Sequence, residues 1–234
     1  DLPDTVARIK PAIVVVGSYR STDNPRFRMH GTGFVVSDGN HAVTNLHVLP
    51  DANENMANAG LVVQVRRAGG ELSMRQATLL RVDKVHDLAL LRFEGAAAPA
   101  LRIGDSEAAR EGMVLAFMGF PIGGALGFSP VTHRAMISSI TPAAMPTPTA
   151  RQLNEATIRS VRAGPFNIFQ LDGTAYPGNS GGPLFDPVSG DVLGILNMVF
   201  IKGSRESALS QPSGISYAIP SRFVAELLES AKTR

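Results

Sequence analysis

The sequence predicts an all-β protein: two six-stranded antiparallel β-barrels packed around a cleft, with a short N-terminal helix and a C-terminal helix. Three observations predict it. Short strand-forming stretches recur along the chain at the spacing of a barrel or sandwich. Only one segment keeps helical spacing over several turns. The 234 residues can bury a sizeable core, either as one large domain or as two small ones sharing a cleft. A doubly wound α/β fold would need a helix after most strands, and this pattern does not supply them.

The opening TVARIKPAIVVVGSY reads as a short amphipathic turn or helix, then Pro11, then the β-branched run Ile13–Val16. Strand signals follow at GTGFVVS (31–37), HAVTNLHV (41–48), LVVQVRR (61–67), ATLLRVD (77–83) and LALLRFE (88–94). LRIGDSEAAREGM then reads as a connector, which places a boundary near Ile103–Gly112. The expected units are residues 1–108 and 109–234, together one functional unit. In the second, strand signals fall at VLAFMGF (114–120), HRAMISSI (133–140), FNIFQLD (166–172), GPLFD (182–186), VLGILNMVF (192–200) and ISYAI (215–219). The closing PSRFVAELLESAKTR sets Phe223, Val224, Leu227, Leu228 and Ala231 on one helical face, with Ser221 as the expected cap. Two stretches lack strand signals, Thr141–Pro165 and Lys202–Gly214. Loops of such length inside a compact domain usually carry function or move.

Composition narrows the function classes. The 44% hydrophobic and 18% charged residues are ordinary for a globular chain. No stretch approaches the roughly 18 uninterrupted apolar residues needed to span a bilayer, and DLPDTVARIK lacks the plan of a signal peptide. Net charge is +2, and Arg66-Arg67 is the only basic pair, without interleaved aromatics, so the pattern argues against a nucleic-acid surface. With no cysteine there is no disulfide, thiol catalysis or Cys-based zinc site. The histidines lack paired ligand spacing, no calcium-loop pattern is present, and no cofactor is expected.

One stretch carries chemistry. GTAYPGNSGGPLF (173–185) sets Ser180 between Gly178-Asn179 and Gly181-Gly182. It reads either as a surface turn or as a nucleophile whose neighbours have given up side chains so that a substrate can approach the backbone. An unactivated serine needs a base, commonly a histidine oriented by a carboxylate. The five histidines, His30, His41, His47, His86 and His133, all precede Ser180. GNSGG formally matches the esterase elbow G-x-S-x-G, but that elbow takes its histidine after the serine, so chain order excludes it. His47 lies where a strand ends in a turn, a natural place to present an imidazole at a barrel rim. His30-Gly31-Thr32 is a decoy for a subtilisin-type motif, and His41 and His133 are expected at the surface. His86 adjoins Asp87, but strand neighbours point to opposite faces. Asp87 stands directly before an apolar run. It is either a half-buried carboxylate seeking a histidine N–H or a strand-opening aspartate bonded to local backbone.

GTGFVVS, TNLHV, HDLALL and GNSGGPL, in that order, resemble the chymotrypsin-fold (trypsin-like) serine peptidases. The opening TVARIKPAIVVV, the aspartate eight residues before the serine in LDGTAYPGNSGGPLFD, and the closing GDVLGILN and GISYAIPSRFVAELL are closer to the HtrA/Deg branch. The resemblance covers nearly the whole chain and is to that branch's protease domain, without its PDZ domain. It implies a triad of His47, Asp87 and Ser180. It assigns the oxyanion hole to Gly178, Asn179 and Ser180, the donors being the amides of Gly178 and Ser180. It implies a serine endopeptidase acting on unfolded or exposed polypeptide, in an extracytoplasmic setting (periplasmic or secreted). It places Thr174 at the base of the substrate pocket and Asn197, Met198 and Val199 on its far wall, predicting small or medium aliphatic P1 residues. Asp172 is expected to be structural. The family's trimers use N-terminal aromatics, for which Tyr19 and Phe27 are available. The two long loops are expected near the cleft. Two alternatives differ in class: a silent peptide-binding or chaperone-like module, and an enzyme whose triad or Pro177–Asn179 loop is malformed until a partner or peptide organises it.

Overall fold

The computed structural model of the chain describes residues 1–50, 60–121, 128–143, 165–198 and 214–232. The two long loops expected near the cleft, 141–165 and 202–214, fall almost wholly outside these residues. Twelve strands form two closed barrels. The first holds β1 (Ile13–Tyr19), β2 (Phe27–Val36), β3 (His41–Asn45), β4 (Leu61–Arg66), β5 (Leu72–Asp83) and β6 (Leu88–Phe93), in the order β1-β2-β3-β6-β5-β4. The second holds β7 (Val114–Gly119), β8 (Val131–Pro142), β9 (Asn167–Asp172), β10 (Pro183–Phe185), β11 (Val192–Leu196) and β12 (Ile215–Pro220), in the order β10-β11-β12-β9-β8-β7. The all-β double barrel expected from the sequence is the fold observed. Among the described residues two α-helices flank it, α1 (Leu2–Ile9) and α2 (Arg222–Lys232).

Strands such as β1, β6 and β11 read as near-continuous apolar runs because both faces are buried, whereas β5 and β8 are half-exposed and mixed in sequence. On β1, Val14 and Val16 join Val35, Leu61, Val63, Leu91 and Phe93 inside the first barrel. Ile13 and Val15 turn the other way, into a cluster shared with Met118, Phe120, Phe185, Val192 and Ile195 of the second barrel. Leu115 and Phe117 fill the second barrel with Ile137, Phe169, Leu171 and Leu196. The interface between the barrels is therefore a third apolar core, and it fixes how the two halves of the site face each other.

Each terminal helix reaches toward the other half of the chain. On α1, Thr5 Oγ1 donates to Val188 O (3.2 Å) and Arg8 Nη2 to Ser189 O (2.7 Å), both in the β10–β11 turn. On α2, Phe223 and Leu227 are buried, and Phe223 stacks on His86 at the turn between β5 and β6 (3.6 Å, 16°). The start of α2 departs from expectation. Ser221 Oγ donates to Gly104 O (3.0 Å), and the first helical amide, Arg222 N–H, finds Ser106 Oγ in the connector between the barrels (3.0 Å). An N-terminal helical amide needs some acceptor, and the folded connector supplies one from 116 residues away. Tyr19 and Phe27 face each other across β1 and β2, and Phe27 packs edge-on against Phe128 (5.6 Å, 89°).

Candidate active site

Strand register brings His47 and Asp87 together. β3 and β6 are antiparallel with Asn45 opposite Leu88, so the chain leaving β3 runs beside the chain entering β6. Leu46–Val48 form a single 3-10 turn, which ends β3 earlier than the sequence suggests and swings His47 out. The Asp87 carbonyl accepts Leu46 N–H (2.9 Å) and Asn45 Nδ2 (3.2 Å). Its carboxylate accepts the His47 backbone N–H (2.8 Å), the His47 ring at Nδ1, and Asn197 Nδ2 (2.8 Å). The imidazole is thereby held with Nε2 left for chemistry. Asp87 has φ +55, a left-handed conformation uncommon for a residue with a side chain.

The turn behind Asp87 supports that conformation. Asp83 Oδ1 accepts the backbone N–H of Val85 and His86 (both 3.1 Å), and Asp83 Oδ2 binds His86 Nδ1 (2.5 Å). Burial raises the Asp83 pKa, but the hydrogen bond and charge of His86, with those two backbone amides, outweigh it and hold the group below its ordinary value. His86 thus pairs with Asp83, four residues before Asp87, and is clamped between Phe223 and Phe166 (4.5 Å, edge-on). A cavity of about 400 Å³ between this turn and α2, lined by Val82, Lys84, Glu226 and Leu227 among others, includes none of His47, Asp87 and Ser180.

Ser180 comes from the second barrel and is 5% exposed. Its carbonyl accepts Thr32 N–H from the first barrel (2.9 Å), and Gly181 N–H donates to Leu196 O on β11 (2.9 Å). Ser180 Oγ accepts Met198 N–H (3.1 Å), and among the described residues no hydrogen bond joins it to His47. Ahead of it, Asn179 N–H donates to Tyr176 O (3.0 Å) around Pro177 and Gly178, whose φ is +102. Proline followed by a positive-φ glycine, closed by that bond, is a type II turn. The N–H groups of Gly178 and Ser180, on either side of the bonded Asn179 N–H, have no acceptor among the described residues. Asn179 is wholly buried between them, with neither amide atom of its side chain bonded.

Other residues singled out in the sequence fall as follows. Thr174 lies between two residues fixed by Ser216, whose Oγ accepts Ala175 N–H (2.9 Å) and donates to Gly173 O (2.6 Å). Asn197 turns its side chain to the Asp87 carboxylate, and Val199 lies outside the described residues. The site also uses Thr32, noticed in the sequence only as part of the His30-Gly31-Thr32 decoy, now seen bonded to the Ser180 loop.

The remaining histidines serve the fold. His41 Nδ1 binds Asp38 (2.6 Å) and His30 Nε2 binds Ser18 Oγ (2.8 Å). His133, expected at the surface, is half-buried, stacked on Phe117 (4.7 Å, 12°) with Nε2 buried and unbonded. Burial lowers the His133 pKa, and burial together with Arg28 lowers that of His30. Both rings have their pKa in the fold below the ordinary 6.5, so the unfolded chain takes up protons first as pH falls. Their contribution is complete above that value and declines as pH drops through it toward the folded pKa. Thermal midpoints measured from about pH 7.5 down to about pH 5.5 should therefore fall, and His133→Gln should flatten the slope. A variant with the parental slope would clear His133 of the effect.

Paired six-stranded barrels with a histidine and aspartate on one and a glycine-flanked serine on the other define the chymotrypsin-like class of fold. The description "trypsin-like peptidase domain" matches residues 31–195, and the chain belongs to that family. It is 32% identical over 190 residues to a probable periplasmic serine endoprotease DegP-like of Pseudomonas putida (strain GB-1), covering 81% of this chain and 32% of that protein. It is 31% identical over 205 residues to the mitochondrial serine protease HTRA2 of Drosophila willistoni, covering 88% of this chain and 39% of the relative. The chain thus spans about a third of the length of the curated relatives it matches. A solved HtrA-type protease, AlgW, with a tripeptide, shares the fold at a TM-score of 0.66 and 23% identity, covering 98% of this chain and 63% of that one. Among the described residues no helix is long and apolar enough to cross a membrane.

Proposed function

We propose that the chain is a serine endopeptidase unit that cleaves unfolded or exposed polypeptide through an acyl-enzyme, with His47, Asp87 and Ser180 as its triad. The observation that carries this reading is the Asp87 carboxylate holding the His47 ring, with the free Gly178 and Ser180 amides at the same junction. Ser180 Oγ attacks the substrate carbonyl carbon and passes its proton to His47 Nε2. The oxyanion is received by the two free amides. Collapse of the tetrahedral adduct breaks the C–N bond, and His47 returns the proton to the leaving amine. Water then attacks the ester with His47 again as base, releasing acid and free serine. Asp87 holds the ring and stabilises its charged form. Hydrogen bonds between nucleophile and base are often long without substrate and tighten in the complex, which accommodates the missing Ser180–His47 bond. The uncharged Thr174, with Met198 nearby, favours small or medium aliphatic P1 side chains. The relatives named periplasmic support an extracytoplasmic setting.

The test is labelling with a fluorophosphonate, together with cleavage of casein, comparing parent with Ser180→Ala. Labelling and cleavage should both occur in the parent and vanish in the variant. Labelling that needs added peptide would mean the loop must be organised by a ligand, and no Ser180-dependent reaction under any condition would overturn the proposal.

A further inference from the structure

One buried threonine of the first barrel bonds two carbonyls, those of Gly178 and Ser180, in the segment of the second that carries the free amides. Thr32, on β2, is wholly buried and belongs to the half that holds His47 and Asp87. Its backbone N–H donates to Ser180 O (2.9 Å). Its hydroxyl donates to Gly178 O (2.6 Å) and accepts Phe120 N–H (3.1 Å), so the proton and one lone pair are both engaged. Its own carbonyl accepts Thr44 Oγ1 (2.7 Å), which ties Thr32 to β3, the strand that leads to His47.

The turn needs such a tether. Gly178 has no side chain to restrict its dihedrals, and glycine adopts either sign of φ with similar ease. The Gly178 carbonyl belongs to the peptide plane between the two free amides. Rotating that plane would re-aim the chain on both sides of it. A hydroxyl bonded to this carbonyl fixes the plane, and the Thr32 N–H fixes the next carbonyl but one, at Ser180.

We infer that Thr32 is a positioning residue, whose hydroxyl holds the Gly178 and Ser180 amides convergent on one point and in register with His47 across the barrel junction. The inference rests on the reading of Ser180 as nucleophile. It acts on the transition state, because the ground-state substrate gains little from those amides and the oxyanion gains much.

Three variants test it: Thr32→Val, which keeps the shape without the hydroxyl; Thr32→Ser, which keeps the hydroxyl without the methyl; and Thr32→Ala, which keeps neither. Rates are expressed per Ser180-reactive site from fluorophosphonate titration, so misfolded protein does not count. Thr32→Val should lower kcat about 100-fold, the range for a lost oxyanion donor, with KM changed by no more than about threefold. Binding of a peptide aldehyde, which forms the tetrahedral adduct, should weaken by the same factor as kcat/KM. Thr32→Ser should stay within about threefold of the parent. If Thr32→Val does not fold, the Ser and Ala variants make the same comparison, and Ala should be the slow one. Parental kcat in the hydroxyl-free variant, or equal damage in the serine variant, would overturn the inference and leave the nucleophile reading intact. A parent that never labels would overturn both.

Discussion

Asp87→Asn is expected to lower kcat about 10⁴-fold while the protein still folds. The Asp87 carboxylate accepts three donors: the His47 backbone N–H, the His47 ring at Nδ1 and Asn197 Nδ2. An amide of the same shape carries one acceptor and one donor, so an N–H must now face a donor or the ring. Where it faces Nδ1, the imidazole must take the opposite tautomer, with its proton on Nε2. That ring cannot receive the Ser180 proton. The stability cost is that of one mismatched, partly exposed contact, about 1–3 kcal/mol, against a loss in rate equivalent to about 5 kcal/mol. Single-turnover acylation and denaturant unfolding on the same preparation separate the two. A loss in kcat smaller than about tenfold would remove Asp87 from the orienting role.

Gly181→Ala is expected to have the largest effect on stability. Gly181 has φ +89, and a Cβ there would sit 2.0 Å from Thr32 O and 2.5 Å from Thr44 Oγ1. The nearest atom is backbone of β2, in a strand bonded on both sides and packed between two cores, so it has nowhere to move. Left-handed strain costs about 1–2 kcal/mol, and the overlap adds enough to pass the roughly 4–5 kcal/mol that marks an exceptional substitution. Gly70→Ala is the control, since Gly70 has a similar φ of +87 with nothing within 4 Å of the added carbon. It should show the strain alone, about 1 kcal/mol. Equal unfolding midpoints for the two variants would show that crowding at Gly181 is not the cause.

The parts legible in the sequence share a physical reason. Strands buried on both faces, such as β1, β6 and β11, leave apolar runs, while the half-exposed β5 and β8 run longer than their apolar signals, and β3 gave up its last residues to the turn that carries His47. His47 and Asp87 were legible because each sits at the end of a recognisable strand, and the β3–β6 register then makes them neighbours. What stayed hidden depends on pairings across long separations. Thr32 and Gly178 are 146 residues apart, and Asn197 and Asp87 are 110. Neither pairing leaves a period or a local motif. Asn197 was expected on the pocket wall because the family resemblance puts its segment there, but segment position does not say where a side chain turns, and this one turns to Asp87. His133 was expected at the surface as a polar residue in a strand, and stacking on Phe117 draws it inward. The cap of α2 was sought next to the helix and lies in the connector between the barrels.

The crossed terminal helices bear on the order in which the molecule can be completed. During synthesis α1 emerges before either barrel, yet the Val188–Ser189 turn that holds it is made about 180 residues later. The turn carrying Asp87 is made before any strand of the second barrel, yet the Phe223 ring that covers His86 follows all twelve strands. A nascent chain can therefore close its first barrel without sealing the turn behind Asp87. The cover arrives with α2, made after Ser180 and its flanking glycines, so the turn behind Asp87 is completed only once the strands of both barrels exist.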